Sequence, residues 1–107
     1  MKRGEVWWVN FDPSVGGEIK KERPAVIVSE SLINKILNRV QVVPLTSKMG
    51  TLYPNQAYVV FNGVQHKAMA DQLTTVSKLR LIRFAGSISK SDLKQVEQAI
   101  KFQLDLE

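Results

Sequence analysis

Apolar positions along this chain fall into short runs broken by polar turn signals, until the spacing lengthens near the C-terminus. Residues 5–11, EVWWVNF, read as a strand rich in aromatic and β-branched residues, ended by the turn signal Asp12-Pro13. Neighbouring strand side chains point to opposite faces, so Trp7 and Trp8 cannot enter one core, and one of them is expected to cover a second surface such as a subunit interface. The connection over 14–23 is longer than a tight hairpin needs. PAVIVS (24–29) is the second strand, opened by a proline where a missing N–H is tolerated. In SESLINKILN (29–38), Leu32, Ile33, Ile36 and Leu37 sit at helical spacing behind serine caps and predict a short helix.

RVQVVPL (39–45), QAYVVF (56–61), AMADQL (68–73) and RLIRFAGSI (80–88) are further strand candidates, with Asn62-Gly63 a turn. The tail has another period. Leu93, Val96, Ile100 and Leu104 recur every three or four residues behind Ser89 and Asp92, a variant of the capping box, and predict one amphipathic helix. Short strands with one closing helix point to a mainly β (α+β) fold, a strongly bent antiparallel sheet or partly open barrel. At 107 residues the chain is expected to be a single domain spanning 1–107.

Composition narrows the chemistry. There are no cysteines, which excludes disulfides and thiolate metal sites, and a single histidine removes His-pair acid–base catalysis. No metal or cofactor is expected. The opening MKRGEVWW lacks the apolar run of a signal peptide, and nothing later approaches the roughly 18 residues of a membrane span. The expected compartment is the cytoplasm, with no membrane partner. A net charge of +5 suits a polyanion such as nucleic acid, and it equally suits a small protein kept in solution.

Four polar clusters fall where strands meet loops: Glu18 with Arg23, Thr46-Ser47-Lys48, His66-Lys67, and Asp71-Gln72. Arg23 reads either as a solvated arginine near a strand end or as a fixed fork aimed at a phosphate. Thr46 is either a hydroxyl bonding its own backbone or a donor to a developing oxyanion. Strand alternation would turn one of Asp71 and Gln72 inward, as part of a structural network or of a substrate-reading edge. His66 is expected as an exposed turn residue, and Glu18 as a solvated loop carboxylate.

RGEVWWVNFDPSVGGEIKKERPAVIVS, then VVPLTSK, YP, ADQLTTV and the capped C-terminal helix resemble, in order and spacing, the MazF/PemK/Kid family of toxins from type II toxin–antitoxin systems. The match spans nearly the whole chain. Trp8, Asp12-Pro13, Gly16, Glu18 and Arg23-Pro24, all at family spacing, make the first segment its most specific part.

The resemblance implies a compact SH3-like barrel of PemK/CcdB type acting as a homodimer. It implies a metal-independent endoribonuclease that cuts single-stranded RNA, such as mRNA, at short sequences, and a cognate MazE-like antitoxin that blocks the site. The 2′-hydroxyl would attack, leaving a cyclic phosphate and a 5′-hydroxyl. Carried over by position, Arg23, Thr46, Glu18 and Asp71 are the catalytic candidates, and Gly17, Lys20, Ser47, Lys48 and Gln72 the RNA-binding ones. Arg23 and Thr46 are expected to stabilise the phosphorane. The base stays open between Asp71 and Glu18, because a carboxylate with a pKa around 4 is a weak base at neutral pH unless its surroundings raise it.

This chain departs from the family at Thr74 and Ser77, where basic and acidic residues are common, and at Lys67, where an apolar or small residue is. Two rivals remain at this point. One is a CcdB-type gyrase poison, disfavoured because the terminal QLDLE lacks a tryptophan. The other is a non-catalytic SH3-like RNA-binding module.

Overall fold

The computed structural model describes residues 1–107. Seven strands carry the fold: β1 (Glu5–Asn10), β2 (Glu22–Ile27), β3 (Arg39–Thr46), β4 (Gln56–Phe61), β5 (Val64–Met69), β6 (Thr74–Ser77) and β7 (Leu81–Ser87). Helix α1 (Ser31–Ile36) lies between β2 and β3, and α2 (Lys90–Gln103) closes the chain. All pairings are antiparallel, in the order β4-β5-β3-β2-β1-β7, with β6 also on β3.

β3 makes the sheet curl. It pairs with β2 over Val42–Pro44 on one side, while its other side bonds β6 through Arg39–Val42 and β5 through Leu45 and Thr46. A strand that changes partner midway cannot stay flat, so the two halves bend around it. Pro44 falls between the two partners, where no ladder asks for its N–H. The result is the expected mainly β half-barrel with a C-terminal helix.

Each face of the sheet has its own core. Val6, Val26, Val43, Leu45, Val59 and Ala68 join Val96 and Ala99 of α2 in the larger cluster. Val9, Phe11, Ala25, Ile27, Val40, Val42 and Val76 form the smaller one. Strands buried on both sides read as continuous apolar runs, which is why PAVI does. Trp7 and Trp8 diverge as alternation requires: Trp7 packs against the smaller core and edge-on to Phe84, while Arg83 lies over the Trp8 ring.

Ser89 caps α2, its hydroxyl accepting from Asp92 N–H at 3.0 Å. The Asp92 carboxylate leaves the capping box open and instead accepts from Val60 N–H at 2.9 Å, on the outer edge of β4. One residue thereby joins helix start to sheet edge and covers a donor that would invite a further strand. No helix is long and apolar enough to cross a membrane.

Several expectations need correction. β2 begins at Glu22, so Pro24 is its third residue; the β3 ladder stops at Ala25, which leaves one side of the strand free there. α1 is capped by Glu30, whose carboxylate accepts from Ile33 N–H, and not by a serine. Its apolar residues do not face the core. Leu32, Ile33 and Ile36 are exposed, and Asn34 is the buried one, held by Ser29 and the Met1 carbonyl. The strand expected at 68–73 is β5 at Val64–Met69 followed by a 3-10 turn over Ala70–Gln72, and β6 was not anticipated.

Candidate active site

Register brings distant residues into one row across the sheet. Arg23 of β2 stands opposite Val9 of β1, and Thr46 of β3 opposite Lys67 of β5, which in turn faces Tyr58 of β4. Ala25 and Pro44 are the last pair of the β2–β3 ladder, and alternation along each strand keeps Arg23 on the face of Ala25 and Thr46 on the face of Pro44. Directly opposed residues share a face. Arg23, Thr46, Lys67 and Tyr58 therefore line one surface, an open continuation of the face whose other half is the smaller core.

Arg23 is half-buried and forms no ion pair; its Nε donates to Lys20 O at 3.4 Å, and its two terminal nitrogens have no protein partner. The Thr46 hydroxyl accepts from Lys48 N–H at 3.2 Å, which leaves its own O–H free to donate. The backbone-bonded hydroxyl and the oxyanion donor are thus compatible. Ser47 and Lys48 lie exposed on the segment leaving β3.

The long loop beside Arg23 is ordered by its own polar groups. At its base Phe11 N–H donates to Lys21 O, and Lys21 N–H to the Asp12 carboxylate, both at 2.9 Å. Arg80 reaches across to the carbonyls of Asn10 and Asp12. Within it, the Glu18 carboxylate accepts from Val15 N–H at 2.7 Å while Glu18 N–H donates to Val15 O. Gly16 takes a φ of 58°, which permits the tight reversal.

Gln72 grips the far end of this loop as a neighbouring strand would. Its Oε1 accepts from Ile19 N–H and its Nε2 donates to Gly17 O, both at 3.2 Å. The expectation that strand alternation buries Asp71 or Gln72 is not met, because both sit in the 3-10 turn; Asp71 is exposed and has no hydrogen-bond partner. A cleft of about 370 Å³ opens between turn and loop, lined by Ser14, Glu18, Asp71, Gln72, Thr74 and Arg80 among others.

The candidates thus fall into two adjoining groups. Glu18, Asp71 and Gln72 share the cleft, while Arg23 and Thr46 lie in the strand row outside it. The loop from Gly17 through Lys20 links them, since Arg23 Nε bonds the Lys20 carbonyl. Lys20 itself is exposed.

His66 is not a turn residue; it lies in β5 with its ring against Phe61, centroids 4.5 Å apart. Tyr58 and Arg80 carry no signal that marks them in the sequence, and Lys67 stands out there only as a member of a polar cluster and, like Thr74, as a departure from the family pattern. Reading VQHKAM as an alternating strand would have placed Lys67 beside Thr46.

Residues 2–104 match the family described as PemK-like, MazF-like toxin of type II toxin-antitoxin system. The chain is 38% identical over 115 residues to the endoribonuclease MazF9 of Mycobacterium tuberculosis, covering 99% of this chain and 98% of that protein. Its fold is similar to that of MazF from Deinococcus radiodurans, with a TM-score of 0.87 at 24% identity over 99% of this chain and 97% of the other. It is also similar to a mycobacterial endoribonuclease solved in complex with its cognate antitoxin, with a TM-score of 0.83 at 21% identity, covering 100% and 97% of the two chains. Matched from one end to nearly the other, the chain belongs to the PemK-like, MazF-like toxins of type II toxin–antitoxin systems.

Proposed function

We propose that this protein is a metal-independent endoribonuclease toxin that cleaves single-stranded RNA, works as a homodimer in the cytoplasm and is silenced by a cognate antitoxin. The observation that carries this reading is the strand row in which an unpaired guanidinium and a free hydroxyl donor share one open face. Relatives named endoribonucleases support it. A structural neighbour that holds its antitoxin supports the partner. Exposed Leu32, Ile33 and Ile36, together with the half-buried Trp8, offer apolar surface for a second chain.

The chemistry needs three acts. A proton leaves the 2′-hydroxyl, its oxygen bonds to phosphorus while the P–O5′ bond breaks, and the departing 5′-oxygen takes a proton from water. Arg23 and Thr46 hold the phosphate and stabilise the charge gathering on its non-bridging oxygens. Arginine keeps its proton, so its part is electrostatic. Asp71 and Glu18 are the two carboxylates offered as proton acceptor, Asp71 free of internal hydrogen bonds and Glu18 tied to Val15 N–H, where it also shapes the loop. Gly17, Lys20, Ser47 and Lys48 present backbone and charge to the RNA strand. The protein surface reads base edges at the cleft, while phosphate contacts fix position.

Arg23→Ala and Thr46→Val test this reading. Each should cut the cleavage rate by ~10²-fold or more, the scale of a lost oxyanion donor, and by far more than it weakens RNA binding. Loss below about tenfold for Arg23→Ala would contradict its role. A native chain that binds RNA without cutting it, and keeps most of that affinity when Arg23 and Thr46 are both replaced by alanine, would favour the non-catalytic binding module.

A further inference from the structure

Lys67 has no part in the mechanism above, yet its placement is unusual. It is only 7% exposed, and no carboxylate pairs with it, Arg3–Glu97 being the one ion pair in the chain. Its Nζ donates to a single protein acceptor, the Thr51 carbonyl, at 3.1 Å. An ammonium carries three donors and no acceptor, and a buried charge is costly unless it is paired. A tie to one carbonyl would need only a neutral donor. Two of the ammonium's three donors are left without a protein acceptor, and an anionic oxygen from outside the chain suits them.

The surroundings say which anion. Ala68 enters the larger core, so alternation turns Lys67 to the opposite face, the one carrying Thr46 and Arg23. Adjacent strands lie about 4.8 Å apart, which sets Lys67 one strand spacing from Thr46. A four-carbon side chain spans that distance. Thr51 lies in the segment Ser47–Tyr53, which is exposed throughout.

We propose that Lys67 is a further substrate-binding residue, whose ammonium exchanges the Thr51 carbonyl for a backbone phosphate of the RNA strand lying across Thr46 and Arg23. This rests on the nuclease reading and extends its phosphate clamp from two donors to three. It also assigns a role to a side chain at which this sequence departs from its family's pattern.

Lys67→Met keeps the volume and removes the charge. In an Arg23→Ala background, where the strand stays whole, binding of a fluorescent single-stranded RNA is measured across a salt series with and without Lys67→Met. The slope of log K against log salt should flatten by about 0.7, the contribution of one phosphate on a single strand. In the otherwise native chain Lys67→Met should raise KM about tenfold with kcat altered less than about threefold, as expected for uniform binding. Loss of a merely structural tie would lower the melting temperature without changing the salt slope. An unchanged slope overturns the inference and leaves the nuclease reading intact.

A native chain that binds RNA without cutting it defeats the nuclease reading, and the slope still decides the Lys67 contact. Should Lys67→Met fail to fold, Lys67→Gln replaces it: its slope should flatten by the same amount, and an unchanged slope in the folded variant overturns the proposal.

Discussion

Gln72 shows how a residue's type can be legible while its task is not. A polar amide after an apolar run signals partners to be satisfied. Only the fold reveals that those partners are Gly17 O and Ile19 N–H, far back in sequence. Gln72→Ala should unpin the loop, so limited proteolysis between Gly16 and Lys21 should quicken in the free protein and slow again when RNA or antitoxin binds. Unchanged cutting in the variant would contradict the clamp. Arg23 and Thr46 were legible as candidates through the resemblance to the toxin family, because spacing alone also suits an ordinary solvated arginine and a hydroxyl bonding its own backbone. Their placement in one row depends on the β2–β3 register, which the sequence does not display.

Among the elements, those with strong periodicity were readable and those held by context were not. α2 announces itself through Leu93, Val96 and Ile100 behind Ser89, and the larger core uses that stripe. β6 was missed because only Val76 of TTVS is buried, and the strand exists by pairing with β3. In α1 the helical spacing is real but its apolar face points outward, since Asn34 binds the Met1 and Ser29 carbonyls and sets the helix rotation.

The α1 cap yields a pH prediction. Hydrogen bonds from Ile33 N–H and Leu32 N–H hold the Glu30 carboxyl below its ordinary value of 4.5. A depressed folded value stabilises the helix start above the unfolded value and loses that effect as pH falls through the folded one. The amide-exchange protection of Ile33 should therefore exceed that of Glu30→Gln at neutral pH and converge with it in acid. A gap that persists or widens below the ordinary carboxylate range would contradict the cap.

At the scale of the molecule, the curl at β3 both builds the core and exposes the site. Where β3 leaves β6 for β5, Leu45 goes inward and Thr46 turns to the open face, so one change of partner sets both. The sheet's other face is closed by α2, which concentrates function on the side of the loop and the cleft. A net charge of +5 favours association with RNA and makes capture sensitive to salt.

The most direct test is to incubate purified protein with mixed-sequence single-stranded RNA in excess EDTA and map the fragment ends. The account predicts discrete cuts at a short sequence, with cyclic phosphate and 5′-hydroxyl ends, abolished by Arg23→Ala. Intact RNA, cleavage that requires added metal, or fragments bearing 5′-phosphates would contradict it.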